Sequence, residues 1–501
     1  MRQLLFLLTL CSVFSIAHAE SLANIDASSR DIACNGSCLV APENGELTGE
    51  KISQMLSEGD VTIVSHNEDI VISDDITWEA DTLLSLVAGR DVLIDGNIVA
   101  KGNRAGLIIT PNQNQDSGRY YLSGKITLLG AVPWLIIEDV EYRIIKSPLD
   151  LQNINGDLGG NFALSRDLDM KETRGLNGGA GFRPIACGSS FQGRLDGLGH
   201  VISNLSIKRP GRDSSIGLFA KVEGGAIVRN LGVVNADIEG ASSIGSFAGL
   251  LDGGALIDNC YATGKVKAHK FWVKDRGPSD GGPDGWWEGG DFVGGLVGQI
   301  NNATIKNCHA NVQVQADCVA CGGLAGISRN GHIFDSRSTG DVSGSSYVAG
   351  IVGVTHGGRI ERCYAMGSIV GGYCVGGLVG QFNGNCISDC YSGSSVQGGK
   401  SVGGLIGWIH SGFIRNCFAY GPVKGPGGGL VGSLFQSDPS AVDESFWDME
   451  ASGCSDGLAG VGLSTEQMQT RKTFIGAGWD FYNVWEMEEG SYPTLRSGLI
   501  H

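Results

Sequence analysis

Between residues 216 and 447 the apolar positions fall in short bursts separated by glycine and polar residues, none long enough for a helix. The bursts repeat. Val293-Gly-Gly-Leu-Val-Gly298, Val375-Gly-Gly-Leu-Val-Gly380 and Val402-Gly-Gly-Leu-Ile-Gly407 are copies of one another. Looser copies stand at Ile216-Gly217-Leu218, Ile244-Gly245-Ser246, Cys321-Gly322-Gly323-Leu324, Val348-Ala349-Gly350-Ile351 and Gly428-Gly429-Leu430-Val431-Gly432. The first small residue of each lies at 217, 245, 294, 322, 349, 376, 403 and 428, giving steps of 28, 49, 28, 27, 27, 27 and 25 residues. A second landmark keeps the same phase: Asn259-Cys260-Tyr261-Ala262, Asn307-Cys308-His309-Ala310, Arg362-Cys363-Tyr364-Ala365, Asp389-Cys390-Tyr391 and Asn416-Cys417-Phe418-Ala419. Leu231, Ser336 and Phe446 fill the cysteine position in the remaining units.

Each unit reads as three short β-prone pieces, as in Val375–Gly380, Ile387–Ser392 and Ser395–Val396. A unit this short cannot bury its own apolar face, so units must stack and share a core. The pattern predicts an all-β fold, a right-handed parallel β-helix of about eight coils over 216–447. A propeller expects about 40 or more residues per blade and fits less well. The recurring cysteines then form a column of buried thiols, because parallel strands about 4.8 Å apart hold the Cβ atoms too far apart for disulfides. Ile387 and Cys390, three apart, cannot both face inward on a regular strand, so a corner or bulge must separate them.

Upstream, Lys51–Leu56 reads as a helical turn, and Val61–Val64, Ile70–Ile72, Leu83–Val87, Val92–Ile94 and Ile98–Ala100 read as further solenoid strands, with a compact β-domain as the alternative. Residues 20–141 form this N-terminal β-rich region and 142–215 the coils that lead into the repeats. Downstream, Ser464 caps a helix start with Gln467 three residues on. Phe474, Trp479, Phe481, Trp485 and Tyr492 cluster beyond it. Residues 448–501 are read as a cap over the open end, with ligand-stacking aromatics as the alternative.

Composition sharpens this picture in three ways. Residues 1–19, with Arg2, an apolar run from Leu4 to Ile16 and the small-x-small ending Ala17-His18-Ala19, read as a secretory signal peptide. No later stretch is long and apolar enough to span a bilayer, so an integral membrane protein is not expected. The net charge of −17 repels phosphate and argues against nucleic acid as a partner. Of 14 cysteines, one lies in the signal segment, so an odd number remains. Cys34 and Cys38 read as a local disulfide. For Cys318 and Cys321, a disulfide or plain packing is favoured over zinc, and the states of Cys187, Cys374, Cys386 and Cys454 stay open.

The Val-Gly-Gly-Leu-Val-Gly and Asn-Cys-Tyr-Ala elements together resemble the GLUG motif of bacterial surface and secreted proteins. Residues 142–207, with Leu149-Asp-Leu-Gln-Asn-Ile154 and Asn161-Phe-Ala-Leu164, are similar to the segment preceding such repeats in filamentous-haemagglutinin-like exoproteins. The stretch from Phe446-Trp-Asp448 through Gly478-Trp-Asp-Phe481 to Tyr492-Pro493 is similar to the segment that closes them. The resemblance implies a β-helical adhesin at a Gram-negative cell surface or secreted from it, often exported with an outer-membrane partner. No Asn-Pro-Asn-type secretion signature is present, which keeps the periplasm open as the location. The family's immunoglobulin-cleaving metallopeptidases carry His-Glu-x-x-His, which this chain lacks.

Function is sought where the period breaks. The 49-residue step is a 28-residue coil plus an insertion spanning Ala268–Asp291. It carries Phe271, Trp272, Trp286 and Trp287 beside Asp275, Asp280, Asp284, Glu288 and Asp291. Exposed tryptophans stack on sugar rings, and carboxylates take sugar hydroxyls or calcium. The alternative is a loop folded back over the flank. No catalytic set, metal site or cofactor is assigned, and calcium finds no EF-hand spacing here. His309, His332, His356 and His410 read as solvated turn residues. The leading expectation is a non-enzymatic adhesin that binds a glycan or a host or matrix protein. A carbohydrate-active enzyme on the same rod and a structural envelope scaffold are the alternatives.

Overall fold

The computed structural model describes residues 37–40, 47–112, 118–211, 215–274, 285–288, 291–317, 319–435 and 441–496, with the backbone alone at 37–40, 271–274 and 285–288. The chain winds as a parallel β-helix. In its N-terminal part, strands Asp60–Ser65, Leu83–Ala88 and Gly106–Thr110 stack in one sheet. Ile70–Ile72, Val92–Ile94 and Tyr120–Leu122 stack in a second, and Ile76–Trp78, Ile98–Ala100 and Ile126–Leu128 in a third. Ser37 pairs with Asp60, Val61 with Leu84 and Leu84 with Leu107, a coil of 23 residues. Ile76–Trp78 has no counterpart among the strands read from the sequence. Its three residues sit between polar neighbours and offer no periodicity of their own.

The expected helical turn is a helix, Gly49–Glu58, started by the Thr48 side chain accepting from the Lys51 amide. Ile52, Met55 and Leu56 are buried beneath it. The Ser53 hydroxyl accepts from the Thr77 amide, so the helix occupies the place where another coil would stack on Ile76–Trp78. At the other end of this segment, the Ile126 amide donates to Leu198 O at 3.0 Å and the Leu128 amide to Ser165 O at 3.2 Å, joining it to the coils that lead into the repeats.

Through the repeats the strand register follows the sequence period. Ile216 bridges Ile244, and Ile244 bridges Val293. Gly294 then pairs with Gly322, Gly322 with Ala349, Ala349 with Gly376, Gly376 with Gly403, and Gly403 with Gly428. The glycines answer to a pinch in the rod. A Cβ on Gly350 would collide with Ala365, on Gly377 with Ser392, on Gly404 with Ala419 and on Gly429 with the Trp447 ring. The glycine at this position therefore lets its strand approach the residue two beyond the cysteine position in the same coil, a small one at Ala365, Ser392 and Ala419. In the last coil Trp447 replaces that small residue and fills the end of the core, its indole N–H donating to Cys454 O at 3.1 Å.

The corner expected between Ile387 and Cys390 is Asp389, at φ 53°. Asn230, Asn259, Asn307, Asp335, Arg362, Asn416 and Glu444 hold the same left-handed conformation in the other coils. Two expectations need correction here. Phe446 does not occupy the cysteine position: it pairs with Phe418, which places Ser445 opposite Cys417. Nor do the thiols act only as small apolar filler. Cys260, Cys308, Cys363, Cys390 and Cys417 are free and buried, but each sulfhydryl donates to the carbonyl two residues earlier, at 3.0 to 3.3 Å. Ser336 and Ser445 donate to the equivalent carbonyls at 2.6 and 2.7 Å. The corner thus leaves a carbonyl in need of a donor, and burial pushes the Cys260, Cys363 and Cys390 thiols well above their ordinary range.

Downstream of the repeats, Ser464 and Gln467 form a capping box at Thr465–Met468. Phe474, Trp479, Phe481 and Trp485 are buried. They pack on the flank of the last coils against Tyr391, Phe418 and Phe446. The Trp485 indole donates to Asp389 at 3.3 Å and the Trp479 indole to Glu444 O at 3.0 Å.

Candidate functional site

The insertion in the 49-residue step forms an antiparallel hairpin, Phe271–Lys274 with Gly285–Glu288. Phe271 is opposite Glu288, Trp272 opposite Trp287, Val273 opposite Trp286 and Lys274 opposite Gly285. Both strands pair only with each other, apart from the solenoid sheets. Backbone pairing therefore brings five of the nominated residues together: Phe271, Trp272, Trp286, Trp287 and Glu288. Asp275, Asp280 and Asp284 lie outside the described residues, as does Cys34. Cys38 lies on Ser37–Val40, where only the backbone is described.

The hairpin leaves the rod from the end of Tyr261–Ala268 and returns through Asp291 to Phe292–Gly294. At its root the His269 ring meets Glu239 at 2.6 Å, and the Ser242 hydroxyl donates to Asp291 at 3.2 Å. Beside it lies an open hollow of about 350 Å³ lined by Lys267, His269, Gln315, Asp317 and Ser343. Among the described residues no group of three or more histidine, cysteine or carboxylate side chains could hold a metal ion. No helix among them is long and apolar enough to cross a membrane. Cys321 is buried and disulfide-bonded, Cys318 lies outside the described residues, and Cys187 is a free, exposed thiol.

Sequence reasoning missed a column of flat side chains. The residue after the cysteine position is in register from coil to coil: Tyr261 with His309, His309 with Arg337, Arg337 with Tyr364, Tyr364 with Tyr391, Tyr391 with Phe418 and Phe418 with Phe446. The signal was present in the aligned landmarks, one position beyond the cysteine that drew attention. The histidines are also strand residues rather than turn residues. His309 begins His309–Ala316, His332 begins His332–Phe334, His356 ends Val352–His356 and His410 lies within Ile406–Arg415.

The model of a family described as "The GLUG motif" matches residues 240–267 and 293–315. A 207-residue stretch is 33% identical to "Halomucin" of Haloquadratum walsbyi, covering 40% of this chain and 2% of that protein. A 67-residue stretch is 42% identical to a "Putative Gly-rich membrane protein" of Evansella cellulosilytica, covering 13% of this chain and 8% of that one. The chain thus spans only a small part of the curated relatives it matches. Among solved structures, a "putative immunoglobulin A1 protease" from Bacteroides ovatus aligns over 71% of this chain and 92% of its own at 20% identity, with a TM-score of 0.36.

Proposed function

We propose that the chain is a non-enzymatic surface or secreted protein of a Gram-negative bacterium, an adhesin of the filamentous-haemagglutinin-like kind. Its β-helix serves as a rod that presents the hairpin to a glycan or protein ligand. The observation that carries this reading is the Phe271–Lys274 and Gly285–Glu288 hairpin, an aromatic-rich insertion that interrupts a regular solenoid and pairs with none of its strands. The GLUG match and the similarity to Halomucin support a surface setting. In this reading Phe271, Trp272, Trp286 and Trp287 supply stacking surface, and Asp275, Asp280, Asp284 and Glu288 take hydroxyls or calcium. A signal peptide at 1–19 and an outer-membrane secretion partner supply its route.

Replacing residues 270–289 by a short glycine linker tests the proposal. Attachment of the purified protein to immobilised matrix proteins and glycans should fall by about tenfold or more while the thermal melt stays close to the parent's. Unchanged attachment removes the hairpin as the site. Release of reducing ends or unsaturated products from polysaccharides would replace the adhesin reading with a hydrolase or lyase.

A further inference from the structure

Each strand of the hairpin keeps one edge unpaired among the described residues, because Phe271–Lys274 and Gly285–Glu288 pair only with each other. A two-stranded ribbon is marginally stable in water until a third strand or another element joins it. Its two edges are not alike. Lys270 and Lys274 bracket the first strand, and lysine is the residue that β-proteins place on edges that must stay single. Gly285–Glu288 holds neither lysine nor proline, and its central positions are Trp286 and Trp287, residues with high strand preference. The edge left open to pairing is therefore Gly285–Glu288.

Charge and register decide which strand adds to it. Residues 216–435, the stretch that carries the hairpin, hold equal numbers of basic and acidic residues, 15 of each, so the net charge of −17 lies outside them. Two copies meet along this stretch without net repulsion. A two-fold axis that pairs Gly285–Glu288 antiparallel with itself sets Trp286 of each copy opposite Trp287 of the other, and Gly285 opposite Glu288. No like charges are opposed, since the two Glu288 positions lie three residues apart, roughly 10 Å along the strand. Residues directly opposite share a face of a sheet. Trp272 is opposite Trp287 within the hairpin, so each face of the joined sheet carries Trp272 and Trp287 of one copy and Trp286 of the other in one row. A second copy supplies this match by symmetry.

We propose that Gly285–Glu288 is a homotypic docking strand, through which two copies of this chain join their hairpins into one four-stranded antiparallel sheet. The proposal deepens the adhesin reading by naming a second copy as the protein ligand of the hairpin, and it rests on that reading for the hairpin's presentation on the rod.

Sedimentation velocity of the purified protein at concentrations up to about 0.1 mM tests it. The parent should show a monomer–dimer equilibrium, and the variant with residues 270–289 replaced by a glycine linker should stay monomeric. Gly285→Glu is the discriminating change. Position 285 is opposite Lys274 within the hairpin, so the new carboxylate supports the ribbon, whereas across the two-fold it opposes Glu288 of the second copy. Its dimer should be weaker by about fivefold or more, and adding Glu288→Lys should return the dissociation constant to within about twofold of the parent's. Damage to the hairpin alone gives no such restoration, and a thermal melt close to the parent's shows that each variant is folded. The proposal is overturned if the parent is monomeric throughout, if the dimer survives replacement of the hairpin, if Gly285→Glu dimerises like the parent, or if Glu288→Lys fails to restore it. Hairpin-dependent attachment to matrix proteins or glycans by a protein that stays monomeric overturns it too, while keeping the adhesin reading and giving the hairpin to a foreign ligand.

Discussion

His309 shows how a repeat position constrains an ionisable side chain. The coil period places it at the start of His309–Ala316, where its ring contacts the Thr339 hydroxyl at 3.0 Å. Burial, reinforced by the nearby Arg337 charge, pushes its pKa down to about 4. The folded value lies below the unfolded one, near 6.5, so the unfolded chain binds more protons between the two. The stability that a neutral His309 contributes is complete above about pH 6.5 and drains away as the pH falls towards about 4. Melting temperatures of wild type and His309→Gln between pH 4 and 7 should diverge in shape, the wild type falling more steeply over that window. Parallel curves would show that the ring titrates as it does in the unfolded chain.

At the scale of one coil, the corner and the thiol work as a unit. Cys390 donates to Ser388 O at 3.1 Å, and its sulfur accepts from the Cys363 amide at 3.3 Å in the neighbouring coil. Serine already performs both tasks at Ser336 and Ser445, whose hydroxyls accept from the Cys308 and Cys417 amides. Cys390→Ser should therefore cost within about 1 kcal/mol, whereas Cys390→Val, which keeps the bulk and loses donor and acceptor, should cost about 1–3 kcal/mol in urea unfolding. Equal losses would return the column to simple packing. The period was legible because stacked parallel coils convert sequence spacing directly into register, including the long step at the insertion. The hydrogen-bonding role of the thiols was not, since it arises from a left-handed corner whose residue varies from Asn to Asp, Arg and Glu. Phe446 was misplaced for a related reason. The last coil is shortened between Gly403 and Gly428 but runs 28 residues from Cys417 to Ser445, so hydrophobicity drew the alignment one residue too far. The break in the period at the insertion was legible in the sequence, but the antiparallel pairing of its strands carries no periodic signature.

For the whole molecule, the decisive contact is the joint between the N-terminal coils and the coils that lead into the repeats, because a solenoid is held together by nearest-neighbour interfaces and parts most readily at its weakest one. Arg229 bridges this joint. It reaches Asp196, on its own side of the joint, at 2.8 Å and Glu138 across the joint at 3.2 Å, with its guanidinium 5.1 Å from the centre of the Tyr120 ring. Burial alone would lower its pKa, but Asp196 and Glu138 outweigh that effect and hold the group above its ordinary range. Asp196 is fully buried, so removing its cation strands a carboxylate without solvent. Arg229→Met should cost about 3–5 kcal/mol, and the cost should fall on the joint rather than on either core. Calorimetry is expected to show the variant's lower-temperature unfolding split away from that of the remaining coils, while Arg229→Met combined with Asp196→Asn recovers part of the loss. If the single variant melts like the wild type, or the second substitution adds its own full cost, the coupling between the two segments runs through the backbone bonds at Leu198 and Ser165 instead.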